Sequence, residues 1–263
     1  MRISCYNPLL KSEGDMQIWR LIDLGINTAF ENMAIDEALL EAHVLGLTPP
    51  TLRFYEWYPA ALSIGYAQSS LDVDRNKCLH LGIDVVRRAT GGKAVLHQGE
   101  LTYSVVSSSR FGLKGSVKET YRMLSEAIAL GLRSLGVPAS LEPGTLRSGP
   151  QTACFAAATP ADLVCGGRKL VGSAQVRRGD SVLQHGSIPL DQDPRLLKLI
   201  LPDAPPPNNL GEFLGRTPSR EEIKEALIEG FKQCLGVEII PCSLLPCEEE
   251  LARRANRFSR LLG

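Results

Sequence analysis

The chain has 263 residues, with 29 Lys plus Arg against 29 Asp plus Glu, so its formal net charge is zero and no global charge points to nucleic acid or membrane. The length supports a substantial core without disulfide or metal staples. Seven cysteines (5, 78, 154, 165, 234, 242 and 247) are odd in number, scattered and without a CxxC pair, and there are only four histidines. This pattern argues for a reducing cytosol and against a disulfide framework or a structural zinc site.

The N-terminal "MRISCYNPLLKSEGDM" lacks the apolar core of a signal peptide, and no apolar run is long enough to span a bilayer. Residues 1–15 read as a tail, Met16 as an alternative start, and 16–263 as one domain of a cytoplasmic protein. "MQIWRLIDLG" reads as a first strand. Thr28 and Glu31 form a capping box that opens a helix through "NMAIDEALLEAHVLG". Strand-like runs follow at 51–57, 61–66, 83–88, 93–97 and 101–108. A second capping box, Ser116 and Glu119, opens "VKETYRMLSEAIALGLRSLG", with Met123, Ala127, Leu130 and Leu135 on one stripe.

A later strand set covers 162–165, 168–177 and 181–190, with turn signals "CGGRK" and "RRGDS" that join it into a meander. "PDAPPPNNLG" (202–211) reads as a surface loop. Ser219 and Glu222 cap "REEIKEALIEGFKQCLG", and "CEEELARRANRF" supplies a last helix. Gly46, Gly136 and Gly236 stand where helix C-terminal glycines are expected. Strands come in runs and do not alternate strictly with helices, which favours an α+β class over a doubly wound sheet.

Two stretches crowd polar residues around glycines. In "VVRRATGGKAVLHQGELTYSVV" (85–106), Gly91 and Gly92 sit among Arg87, Arg88, Thr90, Lys93, His97 and Glu100. An isolated Gly-Gly is usually just a tight turn, and "TGGK" lacks the spacer and ending of a phosphate-binding P-loop. In "CGGRKLVGSAQVRRGDSVLQHGSIPLD" (165–191), Lys169 starts a strand, Gly172, Ser173 and Ala174 place small residues in mid-strand before Gln175, and His185 and Gly186 follow on the neighbouring strand. Strand glycine often marks close approach of a ligand. Taken singly, an edge-strand lysine and a satisfied core histidine are the plainer readings. The "RGD" at 178–180 fits a turn better than an adhesion motif in a cytosolic chain.

"ENMAIDEALL", "RRATGGKAVLH", "GRKLVGSAQ" and "LQHGSI", in that order, resemble the lipoate–protein ligase and octanoyltransferase family, which shares its catalytic fold with biotin–protein ligases. The resemblance runs from about Met16 to the C-terminus. It implies mixed β-sheets flanked by α-helices and a cleft for a medium-chain acyl group. The "RRATGG" turn would cover that cleft, with Arg88, Thr90, Gly91, Gly92 and His97 on one side and Gly172, Ser173, Ala174, Gln175, His185 and Gly186 on the other. A tunnel for roughly eight carbons would gain about 0.8 kcal/mol per buried methylene.

Within the family, ATP-dependent ligases carry a third glycine and "HxxGN", where this chain has Lys93 and "HQGELTYS". That departure resembles the cysteine-dependent octanoyltransferases, which take octanoyl from the phosphopantetheine of acyl carrier protein and need neither ATP nor metal. "QTACFAAATPADLVCGGRK" offers Cys154 and Cys165 as nucleophiles, and the family's "ACF" context and its spacing to the motif lysine select Cys154 with Lys169. An ammonium about 4 Å from a thiolate is worth on the order of 4 kcal/mol at an effective dielectric near 20. At about 1.4 kcal/mol per pKa unit, that lowers a thiol by up to roughly three units before desolvation erodes it.

The implied acceptor is a lysine of a lipoyl-domain protein, such as the H protein of the glycine cleavage system. Backbone N–H groups near Gly172 to Ala174 are candidates for the oxyanion. The implied donor is acidic, with Arg87, Lys93, Arg110, Lys114 and Lys118 as its candidate landing surface; family members of this size without an accessory domain imply a monomer. Alternatives are an ATP-dependent lipoate or octanoate ligase, an amidotransferase between lipoyl domains, and a lipoyl-domain binding protein without turnover.

Overall fold

The computed structural model describes residues 16–143 and 161–261. The tail at 1–15 and Cys154 lie outside the described residues. Strand β1 (Gln17–Asn27) leads into helix α1 (Ala29–Val44), and β2 (Thr51–Trp57) and β3 (Ala61–Ile64) follow. A short helix α2 (Arg75–His80), strands β4 (Asp84–Arg87), β5 (Val95–His97) and β6 (Glu100–Ser108), and helix α3 (Val117–Ser134) complete the first half. The second half contains β7 (Ser140–Leu141), β8 (Leu163–Cys165), β9 (Arg168–Arg178), β10 (Ser181–Pro189), α4 (Pro194–Ile200), α5 (Leu210–Leu214), α6 (Arg220–Leu235), β11 (Val237–Pro241) and α7 (Pro246–Leu261).

The strands form an eight-stranded sheet, β11-β1-β2-β6-β10-β9-β8-β7, and a three-stranded sheet, β4-β3-β5. Both are mixed: β1 pairs in parallel with β11 and β2, β3 pairs in parallel with β4, and the other pairings are antiparallel. The α+β expectation and the meander over the later strands therefore hold, with Gly166, Gly167 and Gly179 at positive φ in its turns.

Side-chain alternation assigns each face of the sheets. On the large sheet, Trp19, Leu52, Phe54, Leu101, Tyr103 and Val105 pack against Leu124, Ala127 and Ile128 of α3 and Ile223, Leu227 and Phe231 of α6. The two helices approach through glycines: a Cβ on Gly131 would come within 2.6 Å of the Ala226 carbonyl, and one on Gly230 would strike the Ala127 carbonyl. The opposite face packs Ile22, Val106 and Leu183 against Ile35, Leu39 and Leu40 of α1, with Leu244 and Ala252 of the C-terminal segment beside them. The buried pair Arg20–Glu248, 2.5 Å apart, ties β1 to α7.

The small sheet turns Leu62, Ile64 and Leu96 outward onto Cys78 of α2 and Leu197 and Ile200 of α4. Its inner residues Ala61 and Val86 pack with Ala29 and Met33 of α1 and Tyr55 of β2. This leaves Ser63, Val95 and His97 facing the large sheet across a cavity.

Some local expectations are corrected. The stripe on α3 centres on Leu124, Ala127, Ile128 and Leu132, and Leu130 is only half-buried. Ser219 caps α6 through the Glu222 N–H, but the reciprocal half of the box is missing, because the Glu222 carboxylate is taken by Arg216. The proline-rich segment is not simply a surface loop: Ala204, Asn208 and Leu210 are buried. The Asn208 amide donates to the carbonyls of Cys165 and Arg168, both at 3.3 Å, and so pins the β8–β9 turn that leads into Lys169.

Candidate active site

The cavity between the sheets has an empty volume of about 330 Å³. Strand register builds its floor. Arg53, Ser104, His185 and Ala174 form one rung across β2, β6, β10 and β9, and Tyr55, Thr102, Ser187 and Gly172 form the next. Where β2 and β6 carry large or branched side chains, β9 carries only Gly172 and Ala174, and the floor opens on that side. Met33, Trp57 and Val95 supply apolar wall. The Trp57 indole stacks on the His97 ring, with centroids 3.9 Å apart and planes 15° apart.

The polar groups of the wall are partnered within the protein, as burial demands. Asp36 of α1 accepts from Arg53 Nη1 (2.6 Å) and Ser104 Oγ (2.8 Å) on one oxygen, and from Tyr55 Oη (2.8 Å) and His185 Nδ1 (2.9 Å) on the other. Burial by itself would raise the Asp36 carboxyl, but the Arg53 charge and the His185 and Ser104 hydrogen bonds outweigh it and hold it below the ordinary carboxylate value. Burial, together with the Arg88 charge, pushes His185 below the ordinary imidazole value against the pull of Asp36, so His185 is neutral at pH 7. Burial also raises the Tyr55 hydroxyl well above its usual range.

A second carboxylate, Glu100, receives His97 Nδ1 at 2.6 Å, Thr102 Oγ1 at 2.5 Å and the Ser187 hydroxyl. Thr102 in turn accepts from Trp57 Nε1 at 2.7 Å. The far nitrogen of each histidine meets a hydroxyl: His97 Nε2 lies 2.8 Å from Ser63 Oγ, and His185 Nε2 lies 2.6 Å from Thr90 Oγ1.

Arg88 closes the arrangement. Its Nε donates to Thr90 Oγ1 (3.2 Å) and its Nη1 to the carbonyl and hydroxyl of Ser63 (3.1 Å each). Its Nη2 donates to the carbonyls of Gly91 and Lys93, both at 2.8 Å. Gly92, at φ +91°, lets the turn wrap the guanidinium, and a Cβ there would lie 2.9 Å from Nη2. Gly65 has the reciprocal need, since a Cβ on it would collide with the Gly92 carbonyl. These glycines serve the turn itself. Arg87, expected on a landing surface, donates through Nη1 to the carbonyls of Gly65, Tyr66 and Gln68. Lys93, Arg110, Lys114 and Lys118 are exposed, on the turn after β4, along the β6–α3 connection and in the first turn of α3.

Of the expected substrate-contacting residues, Arg88, His97, Gly172, Ser173, Ala174, His185 and Gly186 line the cavity, and Thr90 touches it through His185. Gly91 and Gly92 are exposed on the turn. Gln175 is turned away, donating to Gln184 (3.2 Å) and accepting from Thr120 (3.3 Å). Gly186 answers to the protein more than to a ligand: a Cβ would lie 2.6 Å from the Tyr103 ring and 2.7 Å from Ser173 Oγ on the other face.

Lys169 is buried, and its ammonium lies 2.8 Å from the Asp162 carboxylate. Tyr121 of α3 donates to the other Asp162 oxygen at 2.5 Å and lies 3.3 Å from the Ser173 carbonyl, linking the ion pair to the cavity wall. Lys169 is therefore not an edge-strand surface charge. Cys165, the alternative nucleophile, is buried, and burial raises its thiol more than Arg168 lowers it. Among the described residues no group of three His, Cys, Asp or Glu side chains could hold a metal ion, and no helix is long and apolar enough to cross a membrane.

Sequence reasoning missed Asp36, Arg53, Ser63, Asp162 and Tyr121 as parts of this site, and noted Glu100 only as one of the polar residues crowded around the Gly91–Gly92 turn. The signals were an acid pair, Asp36 and Glu37, inside the otherwise apolar run "NMAIDEALL" and a lone arginine inside the strand "TLRFYEW". An isolated charge at a core position requires a partner, but the sequence does not say which.

Comparison with known proteins places this geometry. The lipoyl protein ligase A/B catalytic domain matches residues 28–232. Over 255 residues the chain is 46% identical to the octanoyltransferase LipM of Symbiobacterium thermophilum, covering 89% of this chain and 93% of that one. It is 43% identical to octanoyltransferase LipM of Kyrpidia tusciae, covering 91% and 95%. A crystal structure of lipoate-protein ligase A bound with ATP is similar at TM-score 0.79 and 30% identity, covering 92% and 95%. The bipartite lipoate protein ligase of Thermoplasma acidophilum is similar at TM-score 0.74 and 27% identity, covering 92% and 93%. With a mixed-sheet scaffold, a cavity between its two sheets and a matched stretch that spans the cavity residues from Met33 to Ser187, the chain belongs to the lipoyl protein ligase A/B catalytic domain family.

Proposed function

We propose that this chain is an octanoyltransferase of lipoate synthesis, which moves an octanoyl group through a thioester on Cys154 to a lysine of a lipoyl-domain protein. In the first step the Cys154 thiolate attacks the carbonyl carbon of octanoyl-acyl carrier protein. The carbon–sulfur bond to phosphopantetheine breaks, and that thiol leaves with a proton. In the second step the acceptor lysine amine attacks the acyl-enzyme, an amide forms, the amine loses a proton and the Cys154 sulfur is released. A thioester is already activated, so neither ATP nor metal enters. The acceptor is a lipoyl-domain protein such as the glycine cleavage H protein, and the enzyme works as a cytoplasmic monomer.

The observation that carries this reading is the placement of Lys169. It is a buried ammonium held by Asp162, on the strand whose Gly172 to Ala174 segment lines the cavity. A charge fixed there favours an ionised sulfur or a developing oxyanion beside an acyl chain. Its contact with the Asp162 carboxylate suits Lys169 to electrostatic support and not to the role of base. Further support comes from the relatives named octanoyltransferase, at 40–46% identity. The likeness to a ligase bound with ATP favours a second reading, an ATP-dependent lipoate or octanoate ligase.

One experiment separates them. The protein is incubated with octanoyl-acyl carrier protein without ATP, and its intact mass is followed before and after a lipoyl-domain acceptor is added. Octanoyl appears on Cys154 and then on the acceptor. Labelling that requires ATP, or that persists in Cys154→Ala, overturns the transferase reading. Labelling from an octanoylated lipoyl domain but not from acyl carrier protein assigns an amidotransferase instead.

A further inference from the structure

The cavity wall holds two chains of the same composition. One runs Glu100–His97–Ser63 and the other Asp36–His185–Thr90, each with the carboxylate on Nδ1 and the hydroxyl within 2.8 Å of Nε2. Each resembles the acid–histidine–hydroxyl order of a nucleophilic triad, and the hydroxyls would then be read as nucleophiles. The far end of each chain argues otherwise. Both hydroxyl oxygens also accept from one guanidinium, Arg88, through Nε at 3.2 Å and Nη1 at 3.1 Å.

A guanidinium has five N–H donors and no acceptor. Arg88 meets five oxygens: Thr90 Oγ1, Ser63 Oγ and the carbonyls of Ser63, Gly91 and Lys93. A hydroxyl that accepts from Arg88 has its own proton left to give, and the histidine Nε2 is the close acceptor. Each imidazole must then carry its single proton on Nδ1, facing a carboxylate. Protons in both chains point one way, from Arg88 through hydroxyl and imidazole to the carboxylate.

We infer that Arg88 is the positioning residue of the cavity, fixing His97 and His185 as neutral hydrogen-bond acceptors so that neither histidine serves as acid or base in acyl transfer. The charged and titratable groups facing His185 are Asp36, Arg88 and His97, with Arg53 and Tyr55 behind Asp36. Glu100 faces His97, with Arg88 beyond Ser63. The inference rests on the acyl-transfer reading only for its kinetic consequence; the protonation pattern belongs to the protein alone.

The test is long-range proton–nitrogen correlation of ¹⁵N-histidine in the full chain at pH 7.5, without substrate. Ser63→Ala and Thr90→Val assign the two resonances, since each removes the donor to one Nε2. Expected are two neutral Nδ1–H imidazoles, each variant moving only its own histidine. In Arg88→Met the His185 inflection rises, because a nearby cation is gone and Thr90 is free to accept from Nε2–H. Arg88→Lys keeps a charge but not the fork, and moves the inflection less. An Nε2–H tautomer or an imidazolium at either position in the wild-type protein at pH 7.5 overturns the inference, as does an unmoved His185 titration in Arg88→Met. If Arg88→Met does not fold, the Ser63 and Thr90 variants decide: perturbation of both histidines by one variant, or of neither, overturns it. Failure of the wild-type protein to transfer octanoyl would sink the acyl reading and leave these spectra to be judged separately.

Discussion

The Lys169 ammonium and the Asp162 carboxylate stand 2.8 Å apart with both side chains buried. Each therefore depends on the other for stability as well as for chemistry. Removing one partner of a buried pair strands a charge and typically costs about 3–5 kcal/mol, whereas replacing both with apolar groups is often neutral. Lys169→Met and Asp162→Leu should each lower the urea midpoint sharply, and the double variant should recover most of the loss. The double variant, though folded, should still lack transfer activity. A single Lys169→Met variant as stable as the parent would show that the pair is not the buried contact described here.

Stability should fall on the acid side, and the cavity is one source. His185 has a folded pKa below its unfolded value, so the unfolded chain binds more protons once pH drops under the unfolded value near 6.5. Its contribution is complete above about that pH and is lost as pH falls towards the folded value. His43, also lowered by burial, acts in the same direction. Asp36, with a depressed folded pKa, adds stability above its unfolded value near 3.9 and loses it at still lower pH. Urea midpoints measured from pH 8 to pH 5 should decline, and His185→Gln should flatten the slope between pH 6.5 and 5. An equal slope in the variant would remove His185 from the account.

Much of the scaffold was legible because it rests on local rules. Capping boxes at Thr28 and Ser116 fixed two helix starts, and alternation in "TLRFYEW" fixed a strand. Strand β11 escaped because "VEIIP" is short and follows its helix directly, and its pairing with β1 bridges residues more than two hundred positions apart. The helices α2, α4 and α5 are too short to show a period. At the site, the glycine-rich clusters and Lys169 stood out, while Asp36 and Asp162 did not. Their roles exist only through partners such as His185, 149 residues along the chain from Asp36. Gly186 shows the limit from the other side: the strand glycine lines the cavity, but its missing side chain also makes room for the Tyr103 ring, a partner that the sequence does not reveal.

That ring supplies a direct check. In Gly186→Ala the new methyl would lie 2.6 Å from the Tyr103 ring and 2.7 Å from Ser173 Oγ, well inside contact distance. Overpacking of this kind costs about 1–3 kcal/mol, and Tm should drop accordingly. Tyr103→Leu, which removes the clashing ring, should cost less in the Gly186→Ala background than in the parent, because contacting sites couple. Additive losses in the double variant would mean that the ring is not what the glycine accommodates.

Trp57 tests what the cavity is for. Its indole stacks on His97 and is hydrogen-bonded to Thr102, so it forms a rigid apolar wall near Met33 and Tyr55. If the cavity receives the acyl chain, that wall limits chain length, and Trp57→Ala should lengthen the preferred donor. Each further buried methylene contributes about 0.8 kcal/mol, roughly a factor of four in kcat/KM if fully realised. The ratio of decanoyl to octanoyl transfer from acyl carrier protein should therefore rise several-fold in Trp57→Ala. Trp57→Phe keeps a stacking ring and should change it much less. The measurement is kcat/KM for octanoyl, decanoyl and dodecanoyl donors with one lipoyl-domain acceptor. An unchanged ratio with falling activity for all three donors would place the chain elsewhere and reduce Trp57 to a support for His97.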